Sequence, residues 1–137
     1  MVTPVETNAI TRRLVAIVVA DVVGYTRLME RDEAGTHARL RKIRSQVVDP
    51  KIATHGGRIV KTAGDGMLVE FSSASSALRC AIDVQREMSV RNLGLAPDTR
   101  VEFRIGINLG DIIVEGDRGG PTQLDSLPGF LSGSSAG

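Results

Sequence analysis

The chain has 137 residues, of which 42% are hydrophobic and 24% are charged. This length fits one domain with its own core, and the composition excludes a disordered, collagen-like or coiled-coil protein. Seventeen basic and sixteen acidic residues leave a net charge of +1, so no global field would draw the chain onto nucleic acid or an anionic membrane.

The beginning of the chain predicts an arm followed by a buried strand. Residues 1–11 are polar without periodicity, which indicates a flexible N-terminal arm. Leu14 to Ala20 is rich in valine and isoleucine without alternation, as in a central strand covered on both faces. The apolar run reaches Val23 but is interrupted by Asp21, and it is shorter than the roughly 20 residues that span a bilayer. The chain start also lacks signal-peptide features, and we expect a cytoplasmic protein without a membrane span.

A helical stretch is predicted next, beginning at Leu28. Leu40, Ile43 and Val47 fall on one helical face, and the glycine pair after His55 ends the helix. A basic cluster on this stretch is interpreted as a solvated helix face rather than a phosphate-binding patch: Arg39, Arg41, Lys42 and Arg44.

A β-hairpin and a second helix follow. Arg58 to Thr62 and Met67 to Phe71 are predicted strands, and the Asp65-Gly66 step between them is a strong hairpin signal. The single cysteine, Cys80, has apolar neighbours and is expected to be buried in the helix that comes next. This helix can be capped by Ser73, Ser75 or Ser76. Its apolar residues recur at three- and four-residue spacing: Ala74, Ala77, Leu78, Ala81, Ile82 and Met88.

The last predicted elements are two strands and a tail. Val101 to Asn108 and Asp111 to Glu115 are expected to be separate strands, with Leu109-Gly110 between them. Residues 118–137 are rich in Gly, Ser and Pro, which predicts a disordered tail. The element order indicates an α+β fold, a ferredoxin-like sandwich in which helices cover one face of a mainly antiparallel sheet.

Two aspartates are the strongest candidates for chemistry. Asp21 ends the first strand and Asp65 lies at the hairpin tip, so their carboxylates converge if the hairpin pairs beside that strand. Close carboxylates repel unless a cation separates them, and Mg²⁺ prefers oxygen ligands and phosphates. Each aspartate alone has a simpler explanation, as a helix cap or a turn residue. The segment Gly24-Tyr25-Thr26 opens a helix behind Asp21, where free backbone N–H groups favour an anion.

Three segments resemble the catalytic domain of class III adenylyl and guanylyl cyclases, over roughly residues 13–116. Val19 to Thr26 is similar to the first metal-binding motif, Lys61 to Gly66 to the second, and Arg104 to Asp111 to the glycine-bearing strand that follows. By this resemblance, Asp21 and Asp65 would hold two Mg²⁺ (or Mn²⁺) ions, with the Val22 carbonyl as a further ligand. The ions would promote attack of the ribose 3′-oxygen on the α-phosphorus, closing the cyclic nucleotide and releasing pyrophosphate.

The resemblance also implies the substrate and its contacts. Lys61 matches the base-reading lysine of adenylyl cyclases, so ATP is the expected substrate, although an edge-strand lysine that discourages aggregation is the simpler alternative. Gly24, Tyr25 and Thr26 would contact the substrate phosphates. His37 and His55 have no partners at metal-ligand spacing and receive no catalytic role.

The resemblance ends near Asp117. In the family, a second base-contacting residue and then a helix with an asparagine and an arginine follow, whereas this chain continues with Arg118-Gly119-Gly120-Pro121. Residues 12–117 would therefore form a truncated cyclase domain, inactive or nearly so alone. Family members work as head-to-tail dimers, so a homodimer or pairing with an intact cyclase chain is expected.

Three other functions compete with a nucleotidyl cyclase. A non-catalytic nucleotide-binding or dimerisation module that regulates an intact cyclase stays open. A diguanylate cyclase would need a Gly-Gly-Asp/Glu-Glu-Phe hairpin in place of Gly64-Asp65-Gly66-Met67-Leu68. A P-loop enzyme is excluded because no Gly-Lys-Ser/Thr follows a glycine-rich loop.

Overall fold

The computed structural model describes residues 10–115, and the predicted tail and most of the predicted arm lie outside this range. The described strands are β1 (Ile10–Val22), β2 (Arg58–Ala63), β3 (Gly66–Phe71) and β4 (Phe103–Glu115). The described α-helices are α1 (Tyr25–Arg31), α2 (Glu33–Ile43), α3 (Asp49–Thr54) and α4 (Ala74–Arg91). A π-helical turn (Arg44–Val48) joins α2 to α3, and a 3-10 turn (Pro97–Thr99) precedes β4.

The strands form one antiparallel sheet in the order β2-β3-β1-β4. The helices pack against one face of it, which confirms the predicted α+β sandwich. Alternation along β1 directs Ala16, Val18 and Val22 into the core shared with the helices. Asp21 therefore points to the opposite face, as does Ile17, which is fully buried. We call this second face of the sheet the distal face.

The two longest strands correct the sequence prediction. β4 is one continuous strand, because Leu109 and Gly110 pair with Ala16 and Val15 of β1 where a turn was expected. The glycine does not break the strand because its neighbour β1 is equally long and pairs with it throughout. β1 also begins at Ile10, two residues inside the predicted arm.

The first helical stretch is interrupted, which the periodicity did not reveal. Asp32 is extended between α1 and α2, and its carboxylate caps α2 by accepting a hydrogen bond from the Gly35 N–H at 2.9 Å. Pro50 lies in the first turn of α3, where a missing N–H costs no hydrogen bond. The stretch ends at Thr54, before the glycine pair, as predicted.

The hairpin and the second helix follow the prediction closely. Ser73 caps α4 through its Oγ, which accepts from the Ser76 N–H at 3.1 Å. Cys80 is buried, and burial together with nearby Asp83 raises the pKa of its thiol to about 11. Ala74, Leu78 and Ile82 are exposed, however, contrary to the expectation that they belong to the core-facing stripe. Within residues 10–115, no helix has both the length and the apolar character needed to cross a bilayer.

Ion pairs connect neighbouring elements. Glu70 of β3 is buried and binds Arg13 of β1 at 2.7 Å and Arg58 of β2 at 2.9 Å. His55 lies 2.7 Å from Asp83 through its Nε2 atom, which ties the end of α3 to α4. This hydrogen bond lowers the pKa of Asp83. His55 thus has a structural partner.

Candidate functional site

Asp21 is positioned by the pairing of β1 with β4. Its register partner is Arg104, whose Nε lies 3.5 Å from Asp21 Oδ1. Both atoms are shielded from solvent, and neither makes a hydrogen bond within the described part of the chain. The side chains as wholes remain partly exposed, at 31% for Asp21 and 42% for Arg104. Asp21 therefore has a nearby positive charge but an oxygen with unused capacity to accept.

Asp65 is positioned by the hairpin turn. Gly64 adopts a φ of +57°, a left-handed conformation that glycine tolerates and that makes the two-residue connection between β2 and β3 possible. The turn places Asp65 at the end of β1, where its Oδ2 accepts a hydrogen bond from the Val22 N–H at 3.3 Å. Val22 directly follows Asp21, and consecutive Cα atoms are about 3.8 Å apart. The structure thus brings Asp65 to the chain segment that carries Asp21.

The donor set fits a divalent cation. Carboxylate oxygens are preferred ligands of Mg²⁺ and related hard cations, and Asp21 Oδ1 lacks a hydrogen-bond donor within residues 10–115. The same residues contain no group of three or more His, Cys, Asp or Glu side chains suited to a metal. Two aspartates alone leave most of an octahedral shell to backbone, water or substrate oxygens, as is usual for Mg²⁺ bound with phosphates.

The start of α1 offers backbone N–H groups to a ligand. Gly24 is the N-cap with a φ of +65° and makes no side-chain cap bond, and the helical ladder begins where Leu28 N–H donates to Gly24 O at 3.0 Å. The Tyr25 side chain packs against the core and Thr26 is exposed. The N–H groups of Tyr25, Thr26 and Arg27 precede that ladder, so an anion could engage them.

Lys61 lies on the same face of the sheet as Asp21. It pairs with Leu68 of β3, which pairs with Val19 of β1, and Val19 is two residues before Asp21. Two strand spacings separate Lys61 from β1, or roughly 10 Å. Its side chain is exposed and β2 ends the described sheet, so both interpretations of this lysine, base contact and edge protection, are compatible with its position.

The basic cluster of α2 and the π-helical turn after it is only partly the solvated face that the sequence predicts. Arg41 and Lys42 are exposed. Arg39 is half-buried and donates to Thr36 at 3.3 Å, while Arg44 pairs with Asp49 at 3.2 Å. The two half-buried arginines therefore act within the helical layer.

Arg104 is the site residue to which sequence reasoning gave no role. In the sequence, Arg104 stands out only as the first residue of the segment Arg104 to Asp111. The strand register is what places it opposite Asp21. No pattern within either strand indicates this pairing, so the sequence carried no signal for Arg104.

Comparisons with known proteins agree on the family. Residues 8–120 match the model of the adenylate and guanylate cyclase catalytic domain. A protein named putative adenylate cyclase 3 from Rhizobium meliloti (strain 1021) is 50% identical over 108 residues, which are 79% of this chain and 18% of that protein. An adenylate/guanylate cyclase/hydrolase crystal structure from Silicibacter pomeroyi is 49% identical, with a TM-score of 0.71 over 77% of this chain and 62% of the other. An adenylyl cyclase structure from P. aeruginosa is 25% identical, with a TM-score of 0.63 over 77% and 60%.

The matched region is a part of each relative. The chain spans less than a third of the length of the curated relatives it matches and under two thirds of the solved cyclase chains named above. Within that region the family match covers the whole described sheet, the hairpin with Asp65 and the end of β1 with Asp21. The chain belongs to the adenylate and guanylate cyclase catalytic domain family.

Proposed function

We propose that this domain converts ATP to 3′,5′-cyclic AMP and pyrophosphate, with Asp21 and Asp65 binding two Mg²⁺ or Mn²⁺ ions. The observation that carries the proposal is the hydrogen bond from the Val22 N–H to Asp65. This bond holds the Asp65 carboxylate beside Val22, the residue that directly follows Asp21. The unused acceptor capacity of Asp21 Oδ1 adds to it.

Each residue has a defined task in the proposed reaction. When bound, the ions lower the pKa of the ribose 3′-hydroxyl and neutralise charge on the triphosphate. Asp21 and Asp65 hold them at the end of β1, with the Val22 carbonyl as a further ligand. The backbone N–H groups of Tyr25 and Thr26 orient the phosphates. The 3′-hydroxyl gives up its proton to solvent, and its oxygen attacks the α-phosphorus to close the ring. The bond between the α-phosphorus and the oxygen that bridges it to the β-phosphorus breaks, and pyrophosphate leaves with that oxygen.

ATP is proposed as the substrate on account of Lys61. An ammonium group donates hydrogen bonds and cannot accept them, so it suits the acceptor nitrogens of a purine edge. The Lys61 side chain is exposed on the distal face. This position is compatible with contact to the purine base of an ATP molecule bound between this domain and a second domain docked on that face.

A polypeptide of these 137 residues is proposed to be inactive by itself. Residues 118–137 offer no counterpart to the asparagine and arginine that complete related sites. Preorganised charge stabilisation contributes about 2.7–4 kcal/mol per group, and each 1.36 kcal/mol is a factor of ten in rate. Loss of both groups would reduce turnover by several orders of magnitude.

Complementation with an intact relative tests the proposal. The partner is a full-length cyclase whose own two metal aspartates are changed to asparagine, so that it is inactive alone. Mixing it with this chain should restore cyclic AMP production, because this chain supplies Asp21 and Asp65 to one shared site. The matched control is this chain carrying Asp21→Asn and Asp65→Asn, which should pair but restore nothing. Pairing without activity would refute the catalytic proposal.

A non-catalytic nucleotide-binding or dimerisation module that regulates an intact cyclase is the second candidate. In that case the chain would bind ATP with Mg²⁺ without turnover and would inhibit an intact, unmutated partner. Cyclic AMP production by that partner, measured against increasing concentrations of this chain, separates the two functions.

A further inference from the structure

We propose that Arg104 is a built-in counter-ion of Asp21 that competes with the divalent cation, so that metal binding must displace its guanidinium. This inference rests on the proposed metal site and deepens it by identifying what occupies the charge environment of Asp21 before a metal arrives. Arg104 would thus be a positioning residue, which acts on the metal through the proposed metal ligand Asp21.

The contact has the geometry of an exchangeable pair. Arg104 Nε lies 3.5 Å from Asp21 Oδ1, longer than the roughly 2.7–2.9 Å of a charge-assisted hydrogen bond. The structure contains such bonds elsewhere, since Glu70 binds its two arginines at 2.7 and 2.9 Å. Both facing atoms are shielded from water and lack a hydrogen bond within the described residues. The guanidinium therefore supplies charge to Asp21 without saturating it.

The surroundings of Asp21 favour replacement of the Arg104 guanidinium by a divalent cation. Asp65 brings a second carboxylate to the end of β1, and two neighbouring carboxylates repel each other unless positive charge lies close to them. Arg104 is the cation that the register of β1 and β4 supplies at this point. Its backbone is fixed in the ladder, but its side chain is 42% exposed and is long enough to swing into solvent. A divalent ion brings twice the charge of the guanidinium and binds both carboxylates, so it can replace it.

Mn²⁺ binding to the 137-residue chain tests this inference, measured by the electron paramagnetic resonance signal of free Mn²⁺ at neutral pH and low ionic strength. Arg104→Gln should bind Mn²⁺ about tenfold more tightly, which is the effect of roughly 1.4 kcal/mol. Arg104→Lys retains the charge and should stay near the wild type. Arg79→Gln is the matched control, because it makes the same change in net charge at an exposed position of α4, on the other side of the sheet. Unchanged or weaker binding by Arg104→Gln would overturn the proposal, as would equal tightening by Arg79→Gln.

Thermal unfolding gives a second readout that separates charge from misfolding. Without metal, Arg104→Gln should melt below the wild type because its carboxylates have lost their counter-ion. Saturating Mn²⁺ should close that gap, since the metal then provides the charge. A gap that persists with metal would show a purely structural role for Arg104 and contradict the inference.

Asp21→Asn distinguishes failure of this inference from failure of the proposed function. If the wild type binds Mn²⁺ and Asp21→Asn does not, the metal site is supported, and the Arg104 variants then decide the competition on their own. If wild type and Asp21→Asn bind equally, the metal site is wrong and the inference falls with it.

Discussion

Asp65 and Cys80 show how the surroundings of a side chain decide what that side chain can do. The Asp65 carboxylate is held by the Val22 N–H, 43 residues away in sequence, and it remains half-buried with oxygen capacity to spare. Cys80 is a side chain of α4 in the core, 5% exposed. The first environment keeps a charged group available for ligands, whereas the second keeps a potential nucleophile neutral.

The thiol of Cys80 is expected to be unreactive in the folded chain. Its pKa is raised to about 11 by burial and by the neighbouring Asp83, and only the thiolate reacts with disulfide reagents. Labelling at pH 8 should therefore be slow in buffer and should accelerate in parallel with unfolding in urea, as followed by circular dichroism. Fast labelling of the fully folded chain would contradict this assignment.

The sequence predicted some residues of the candidate site and missed another. Asp21 and Asp65 could be singled out because each follows a recognisable local signal, a strand end and a hairpin tip. Arg104 could not, since its importance depends on which residue of β1 it faces. Register is a property of two strands together, and no local pattern in either strand encodes it.

Among the elements, the buried carboxylate of Glu70 joins three strands of the sheet. Arg13 and Arg58 are each more than half exposed, and either can satisfy Glu70 when the other is removed. Arg13→Ala and Arg58→Ala should therefore each cost about 1 kcal/mol of unfolding free energy. The double variant should cost roughly 3–5 kcal/mol, because it leaves a buried charge without either arginine.

Urea denaturation of a double-mutant cycle measures this coupling. Glu70→Gln is the control background, since the neutral amide keeps hydrogen-bonding capacity without the charge. In that background the effects of the two arginine substitutions on the free energy of unfolding should add. Simple additivity in the presence of Glu70 would contradict a shared role for the arginines.

Element boundaries were the weaker part of the sequence prediction, for identifiable physical reasons. Leu109-Gly110 carries a turn-like glycine, but full pairing with β1 outweighs that local preference. Asp32 separates α1 from α2 through its cap on the Gly35 N–H, a signal that the apolar periodicity masked. Leu78 and Ile82 have the spacing of core residues, yet they lie on a side of α4 that the sheet does not cover.

For the whole molecule, strand order is what assembles the candidate site. β1 lies between β3 and β4, so its end receives Asp65 from the hairpin on one side and Arg104 from the other. The predicted convergence of Asp21 and Asp65 depended on the hairpin pairing beside the first strand, and this pairing is confirmed. The sequence alone left this pairing as a condition, because the tendency of consecutive elements to be spatial neighbours would place β2, not β3, beside β1.

The central claim is that Asp21 and Asp65 act together as divalent-cation ligands, and Mn²⁺ titration with a non-hydrolysable ATP analogue tests it most directly. The wild-type chain should bind about two ions, and Asp21→Asn or Asp65→Asn should each weaken binding at least about tenfold. Asp65→Asn keeps an oxygen that can accept from Val22, so its fold should be retained, and Asp111→Asn is the exposed control on β4. Binding that is equally strong in the wild type and in both site variants would contradict the claim.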